Sequence, residues 1–598
     1  MSEQRNLILA IVLSMAVVFG WQYFVGPQKP TPEQLKQQEI AQQQKANPSA
    51  QPGAGAVPQA GQKLVRDAAL KAASERASID TPTLAGSINL TGGRFDDLRL
   101  KHYHVTPDPK SPEIELLSPL QAEHPYFAEF GWIADAGAQQ KGADANTQWR
   151  LVQGDQLAPG KDVELAYDNG QGLAFTRRIS VDQNYMFTVT DSVDNHSAQP
   201  VTMYPYGLVS RHNLPPEQRY WVVHEGFIGV LGGTLKDPTY DDLGKTNETQ
   251  RFDSMGGWVG ITDKYWMAAV APPQSEQLTA TYKAYDANGV KAYQSDFTMK
   301  PKTIAPNGSQ TVVHHLFAGA KVVDLVNDYS RTLGIQRFDM AVDWGWFSFI
   351  TKPMFMAIDF LYRYVGNFGI AILIFTVFVK ALFFPLANTS YRSMSKMKKL
   401  QPEMERLRAR FKDDKAKQQQ EMMALYAKEK VNPLAGCLPM LIQIPVFFSL
   451  YKVLLVTIDM RHAPFFGWVK DLSAPDPTSI FNLFGLIPFT PPSYLMLGVF
   501  PIVMGATMWV QTNLNPPPAD PAQQKIFAFM PLIFTYMMAN FPVGLVIYWS
   551  WNNFLSIIQQ VVIMRSTGTP VDFLDRLSGM GARLRRGAAP EKPAGPPD

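Results

Sequence analysis

Residues 368–387 read FGIAILIFTVFVKALFFPLA, twenty residues that carry a single charge, Lys380. Coiled into a helix at ~1.5 Å per residue, the run is ~30 Å long, the thickness of a bilayer's hydrocarbon core. No other feature of the chain restricts its fold so strongly, because a segment this apolar must be surrounded by lipid or by other apolar helices. Lys380 stands seven residues before the end of the run, so its Cα lies roughly 10 Å inside one face. A cation there costs at least ~2.5–3.5 kcal/mol on insertion scales, and such residues usually turn toward protein or a water-filled cavity. Snorkelling of the long stem to the nearer headgroups is the alternative. Thr376 lies four residues earlier, one turn away on the same helix face.

The neighbourhood favours a site. Four more apolar spans follow, at residues 434–456, 494–512, 526–541 and 543–564, none with a charge at its centre. The last two come from one apolar run of 39 residues, 526–564. That is too long for a single crossing and breaks naturally at Asn540-Phe-Pro-Val-Gly544. A further apolar stretch, residues 7–25, follows MSEQR and lacks a small-residue cleavage site. It reads as an uncleaved anchor, residues 1–26, with Trp21, Tyr23 and Phe24 at the interface. Parity then gives six crossings, since the basic tail 565–598 belongs on the same side as the N-terminus.

Between anchor and bundle the composition changes twice. Residues 27–78 are rich in Gln, Pro and Ala and too poor in apolar residues to fold, so they read as a disordered tether. Residues 79–335 carry short alternating runs, such as Leu173-Ala-Phe175, separated by turn signals at Asp168-Asn-Gly170, Asp286-Ala-Asn-Gly289 and Pro306-Asn-Gly308. That pattern predicts a large antiparallel β-sandwich. Its histidines (His102, His104, His124, His196, His212, His224, His314 and His315) show no metal-ligand spacing, and no nucleotide or nucleophile motif stands in a fitting context. No metal or cofactor is expected. The single cysteine, Cys437, excludes an intramolecular disulfide. Residues 336–365 are aromatic but interrupted by Lys352, Pro353, Asp359 and Arg363, which suits an amphipathic helix lying in the outer interface.

Lys380 belongs to the second span, residues 366–387. The segment 388–433 is charged, with twelve Lys or Arg against six Asp or Glu in residues 388–432. By the positive-inside rule it is cytoplasmic. Leu400, Met404, Leu407 and Phe411 form one apolar stripe, and Lys412-Asp-Asp-Lys415 reads as a turn containing Asp413 and Asp414. The result is an antiparallel helical hairpin with Arg392, Lys396, Lys398, Lys399, Arg406, Arg408 and Arg410 as its basic surface. A solvated loop that only fixes topology is the plainer alternative. In the third span Gln443 and Phe447 share a face. Residues 457–493 fall on the outer side and 513–525 form a short cytoplasmic turn.

NPLAGCLPMLIQIPVFFSLY (432–451), DPAQQKIFAFMPLIF (520–534) and FPVGLVIYW (541–549) resemble the YidC/Oxa/Alb family of membrane insertases. GGRFDDLRLKHY (92–103) and the order of parts are similar to the Gram-negative form with a large periplasmic domain. The resemblance implies a five-helix core whose hydrophilic groove opens to cytoplasm and lipid. A buried positive residue there attracts polar or acidic segments of the incoming protein. Lys380 matches that residue, although many relatives carry Arg, whose fixed fork of donors is absent here. Thr376, Gln443 and Phe447 match groove or slide positions, and Tyr548 and Trp549 fall where relatives often carry two tyrosines.

The implied function is insertion and folding of nascent membrane proteins in the bacterial inner membrane, with both termini cytoplasmic and the large domain periplasmic. It requires no covalent chemistry. The implied partners are the lipid bilayer, the Sec translocon (SecYEG and SecDF), and the ribosome and targeting factors through the hairpin and tail. A secondary transporter is disfavoured because repeats and intramembrane carboxylates are absent. An anchored periplasmic binding module leaves Lys380 and the hairpin without a purpose.

Overall fold

A computed structural model describes residues 64–571, except 73–74, 136–137, 139, 215–222, 246–247, 288, 413, 430, 432–437, 488, 490, 493–494, 517–520 and 570. The expected anchor, most of the tether, most of the tail, Asp413 and Cys437 lie outside the described residues.

Residues 76–320 form two packed sheets of eleven and nine strands. In the first, Val201–His212 lies between Tyr126–Ala134 and Val290–Met299. In the second, Met186–Asn195 lies between Leu173–Val181 and Ser309–Ala320. The pairing is antiparallel except where Arg76–Asp80 meets Gln156–Leu157. Two of the turn signals work through glycine. Gly170 and Gly289 adopt φ of 69° and 79°, a region that only a residue without Cβ enters cheaply. Phe95, from the first sheet, meets Phe187, from the second, edge to face at 5.3 Å between ring centres.

The tether ends earlier than its composition suggests. Helix α1, Arg66–Ala72, falls inside the stretch expected to be disordered, and the strand Arg76–Asp80 begins inside it. They are held by charge pairing that composition does not register. Arg66 pairs with Asp97, and Arg76 with the buried Asp96. Helix α2, Tyr240–Gly244, is a single turn closed by a capping box of Thr239 and Asp242. Helix α3, Val323–Thr332, closes the sandwich.

Nine further helices follow: α4 Ser348–Val365, α5 Phe368–Leu382, α6 Phe384–Lys399, α7 Gln401–Arg410, α8 Lys415–Lys428, α9 Leu438–Val456, α10 Val499–Leu514, α11 Pro521–Met538 and α12 Val543–Ser566. Among the described residues no single helix is long and apolar enough to cross a membrane alone. The pair α5 and α6 passes that test together, bent by 68° at Phe383. The run expected to be one straight span over 366–387 is therefore two helices. Pro385 sits in the first turn of α6, where its missing N–H costs nothing; in a continuous helix it would lose the bond to the Ala381 carbonyl and its ring would clash there. Helices α10 and α11 start five residues later and five residues earlier, respectively, than the stretches 494–512 and 526–541, and α12 starts directly after Pro542.

The two parts share one apolar core, running from the sandwich through Phe338 and Phe355 to Leu454 and Val546. Polar contacts pin α9 and the turn after it to the sandwich. Lys452 of α9 donates to Asp343 at 2.5 Å, and the same carboxylate accepts from the His224 backbone at 3.0 Å. Arg461 donates to the His104 carbonyl at 2.6 Å.

Candidate functional site

Lys380, expected near the end of a straight span, stands three residues before the bend at Phe383. Its ammonium points into a cavity of about 50 Å³ between α5, α6, α9 and α12. The walls include Thr376, Phe383, Tyr391, Gln443, Tyr548 and Asn552. One water needs ~10–15 Å³ by the same measure, so the cavity has room for more than one.

The polar atoms inside form a short, directed set. Lys380 Nζ donates to Ser556 Oγ at 2.7 Å, and Ser556 passes its own proton to the Asn552 carbonyl at 2.8 Å. A hydroxyl has one proton to give and two lone pairs, so Ser556 can receive from Lys380 while its own proton goes back onto its helix. Thr376 does likewise, donating to the Ile372 carbonyl at 2.7 Å. Gln443 Nε2 donates to the Tyr548 hydroxyl. Among the described residues no carboxylate lies within ion-pair distance of Lys380. Its charge is held by a neutral hydroxyl and by the cavity.

Four of the expected site residues, Thr376, Lys380, Gln443 and Tyr548, come together here. Phe447 and Trp549 do not line the cavity. They pack edge to face at 4.6 Å between ring centres, and Phe534 joins Trp549 at 5.7 Å, forming an aromatic wall beside it. Beyond that wall the helices turn large apolar side chains outward. Phe378, Leu382, Phe448, Phe529, Leu532 and Val562 are all exposed. A surface of that kind belongs against lipid or another apolar chain.

Ser556 and Asn552 are functional candidates that the sequence reading passed over. The signal was present. Asn552, Ser556 and Gln560 recur every four residues inside an apolar run, which puts three polar groups on one helix face. Helix α12 is also tied to α10 and its C-cap: Asn553 donates to Thr507 at 3.3 Å, and Gln560, the last of the three, to Asn515 at 3.0 Å.

The bend sends α6 away from the cavity to carry the hairpin of α7 and α8. The two helices pack through Met404, whose sulfur accepts from the Tyr426 hydroxyl at 3.6 Å, and through Gln418, which donates to the Arg408 carbonyl at 3.2 Å. Arg392, Lys396, Lys399, Arg406 and Arg410 are exposed, while Lys398 and Arg408 are half-buried. Lys399 also caps the end of α12, donating to the Thr567 carbonyl at 2.6 Å. Asp414 is a helix cap, accepting from the Lys417 N–H at 3.0 Å.

Residues 76–357 match the family model described as the YidC periplasmic domain, and residues 360–569 match the 60Kd inner membrane protein family. The chain is 51% identical to the membrane protein insertase YidC of Methylorubrum extorquens, over 98% of this chain and 99% of that one. Identity to the protein of the same name from Bradyrhizobium diazoefficiens is also 51%, with 98% and 99% covered. A solved YidC insertase structure with its first transmembrane domain aligns over 84% of this chain and 94% of that one, at 17% identity and a TM-score of 0.35.

Proposed function

Since the chain belongs to the YidC family of membrane protein insertases, we propose that the cavity around Lys380 is where polar residues of a client protein enter the membrane. The chain is an insertase of the inner membrane: it takes up newly made membrane proteins and delivers their apolar segments to lipid. The observation that carries the finer reading is the Lys380 ammonium, hydrogen-bonded among the described residues only to Ser556, in a cavity with room for water. A polar segment entering such a cavity keeps hydrogen-bonding partners and avoids full desolvation. The apolar segment moves over the aromatic wall of Phe447 and Trp549 into lipid, driven by ~0.8 kcal/mol for each buried CH₂ group.

The topology follows the charges. Six crossings put the hairpin and the C-terminal tail in the cytoplasm and the sandwich in the periplasm, with α4 in the outer interface. The bent pair α5–α6 and the exposed apolar side chains of α9 to α12 support that arrangement. The exposed basic residues of the hairpin make it the meeting point for ribosomes and targeting factors, and the Sec translocon is a further partner.

The test uses paired clients that differ only in the charge of the tail they must translocate. Lys380→Arg supports insertion of both, and Lys380→Ala slows the acidic-tailed client selectively. Equal slowing of neutral and acidic tails would show that Lys380 keeps the cavity wet and attracts nothing.

A further inference from the structure

A second cavity, of about 980 Å³, lies between α3, which closes the sandwich, and the interfacial helix α4. Insertion as described above makes no use of it. Val323, Leu325, Phe355, Met356 and Phe360 supply its apolar lining. Its charged lining is four carboxylates, Asp324, Asp328, Asp339 and Asp359, against three cations, Arg331, Lys352 and Arg363. Lys352 pairs with Asp339 at 3.0 Å and Arg331 with Asp328 at 3.5 Å. Arg363 must serve both Asp324 and Asp359, each at 2.8 Å, so this end of the cavity holds one negative charge in excess.

A separate observation points the same way. Asp459, in the turn that follows α9, has a buried Oδ2 with no hydrogen-bond partner. Burial raises its carboxyl to about 6, with the fields of Asp359 and Asp324 adding to the rise and a hydrogen bond from its own backbone and then Arg363 opposing it. Asp459 lies outside the lining, and its carboxyl feels the negative field of Asp359 and Asp324 at this end of the cavity. Along the outer edge of α4, Phe349, Met356, Phe360 and Tyr364 are exposed at spacings of seven, four and four, one apolar stripe beside the charged cavity.

We propose that this cavity binds the headgroup of a zwitterionic aminophospholipid from the outer leaflet. The ammonium sits between Asp324 and Asp359, the phosphate faces Lys352 and Arg331, and the acyl chains run along Phe360 and Tyr364. The placement rests on α4 lying in the outer interface. A primary ammonium brings three N–H donors to carboxylates that share one guanidinium, whereas a choline group brings none. An anionic headgroup brings no cation and meets a net negative lining.

The full-length protein in nanodiscs of equimolar phosphatidylethanolamine, phosphatidylcholine and phosphatidylglycerol tests this, with native mass spectrometry counting the lipids that stay bound. The ethanolamine lipid is expected to be retained about fivefold over the other two, the factor for one screened ion pair. Retention by the unaltered protein should fall stepwise as the headgroup is N-methylated from ethanolamine to choline. The double variant Asp324→Asn, Asp359→Asn should lose the preference. Equal retention of ethanolamine and choline lipids, preference for phosphatidylglycerol, or an unchanged preference in the double variant overturns the site. Client insertion, measured on the same preparations, reports on the insertase reading separately.

Discussion

Arg177 in the sandwich and Lys380 in the helical part are cations buried in opposite ways. In the sandwich, Arg177 is fully buried and answered twice by Asp191, at 2.6 and 2.8 Å, with the Phe130 carbonyl at 2.9 Å and the Trp149 ring 4.8 Å below its guanidinium. Arg94 meets Glu129 at 2.7 Å, and Glu129 accepts from Tyr206 at 2.8 Å. In the helical part, Lys380 has a single neutral hydroxyl at 2.7 Å. A charge whose partners are built in holds a fold together and has nothing left to offer. A charge left with a hydroxyl and some water still has most of its interaction energy available to an incoming group.

The strongest way to break this contrast is to unpair the sandwich. Asp191→Ala leaves Arg177 buried without its carboxylate, and such a loss costs ~3–5 kcal/mol. The unfolding midpoint of the sandwich, followed by near-UV circular dichroism on the full chain, should fall sharply. A midpoint within error of the parent would mean that the pair is not structural.

Acid should reach the sandwich next. His212 and His314 are both buried, and burial holds each imidazole down at about 4. Arg94 depresses His212 further. For His314, Arg177 and His315 also lower it, while Asp191 opposes. The unfolded chain takes up these protons near the ordinary value of ~6.5. Between pH 6.5 and 4 the unfolded state therefore binds more protons, and stability falls as pH falls. Each histidine contributes about 3 kcal/mol of loss once the pH is below 4. His314→Phe, which keeps the ring against Phe130, should flatten the decline. A parallel decline in parent and variant would assign the effect to other groups.

Lys380→Met sharpens the comparison from the other side. It removes a cation and adds apolar volume, so the unfolding midpoint should stay level or rise. Insertion of an acidic-tailed client should fall at least about fivefold, the worth of one screened ion pair. A variant that both unfolds early and inserts poorly would make Lys380 a structural charge like Arg177. The smallest effect belongs to Arg178→Ala. Its pair with Asp162 leaves the arginine side chain 65% exposed, and exposed pairs contribute below ~1 kcal/mol. Its unfolding midpoint should barely move.

The sequence made the two parts legible to different depths. Turn chemistry is local, so Asp168-Asn-Gly170 and Asp286-Ala-Asn-Gly289 marked their hairpins, and Pro542 marked the start of α12. The bend at Phe383 was harder to find. The run is apolar on both sides of it, and the only sign is Pro385, which reads equally well as the end of a span. Lys380, Thr376, Gln443 and Tyr548 could be named, but their meeting with Ser556 depends on how α5 and α12 cross, which no local pattern encodes. The pairing of Arg66 with Asp97 was also out of reach, because the partners are thirty-one residues apart.

The bend at Phe383 makes α6 a lever. Tyr391, in the cavity wall, stands eight residues from the bend and Lys399, beneath the hairpin, sixteen. At ~1.5 Å per residue these arms are about 12 and 24 Å. Any body that leans on the hairpin and swings the far end of α6 by about 3 Å shifts the Tyr391 wall by about half as much. That is roughly the radius of a water molecule. A push delivered at the hairpin is thereby geared down into a change of aperture beside Lys380, through a rigid rod with no moving joint other than its elbow.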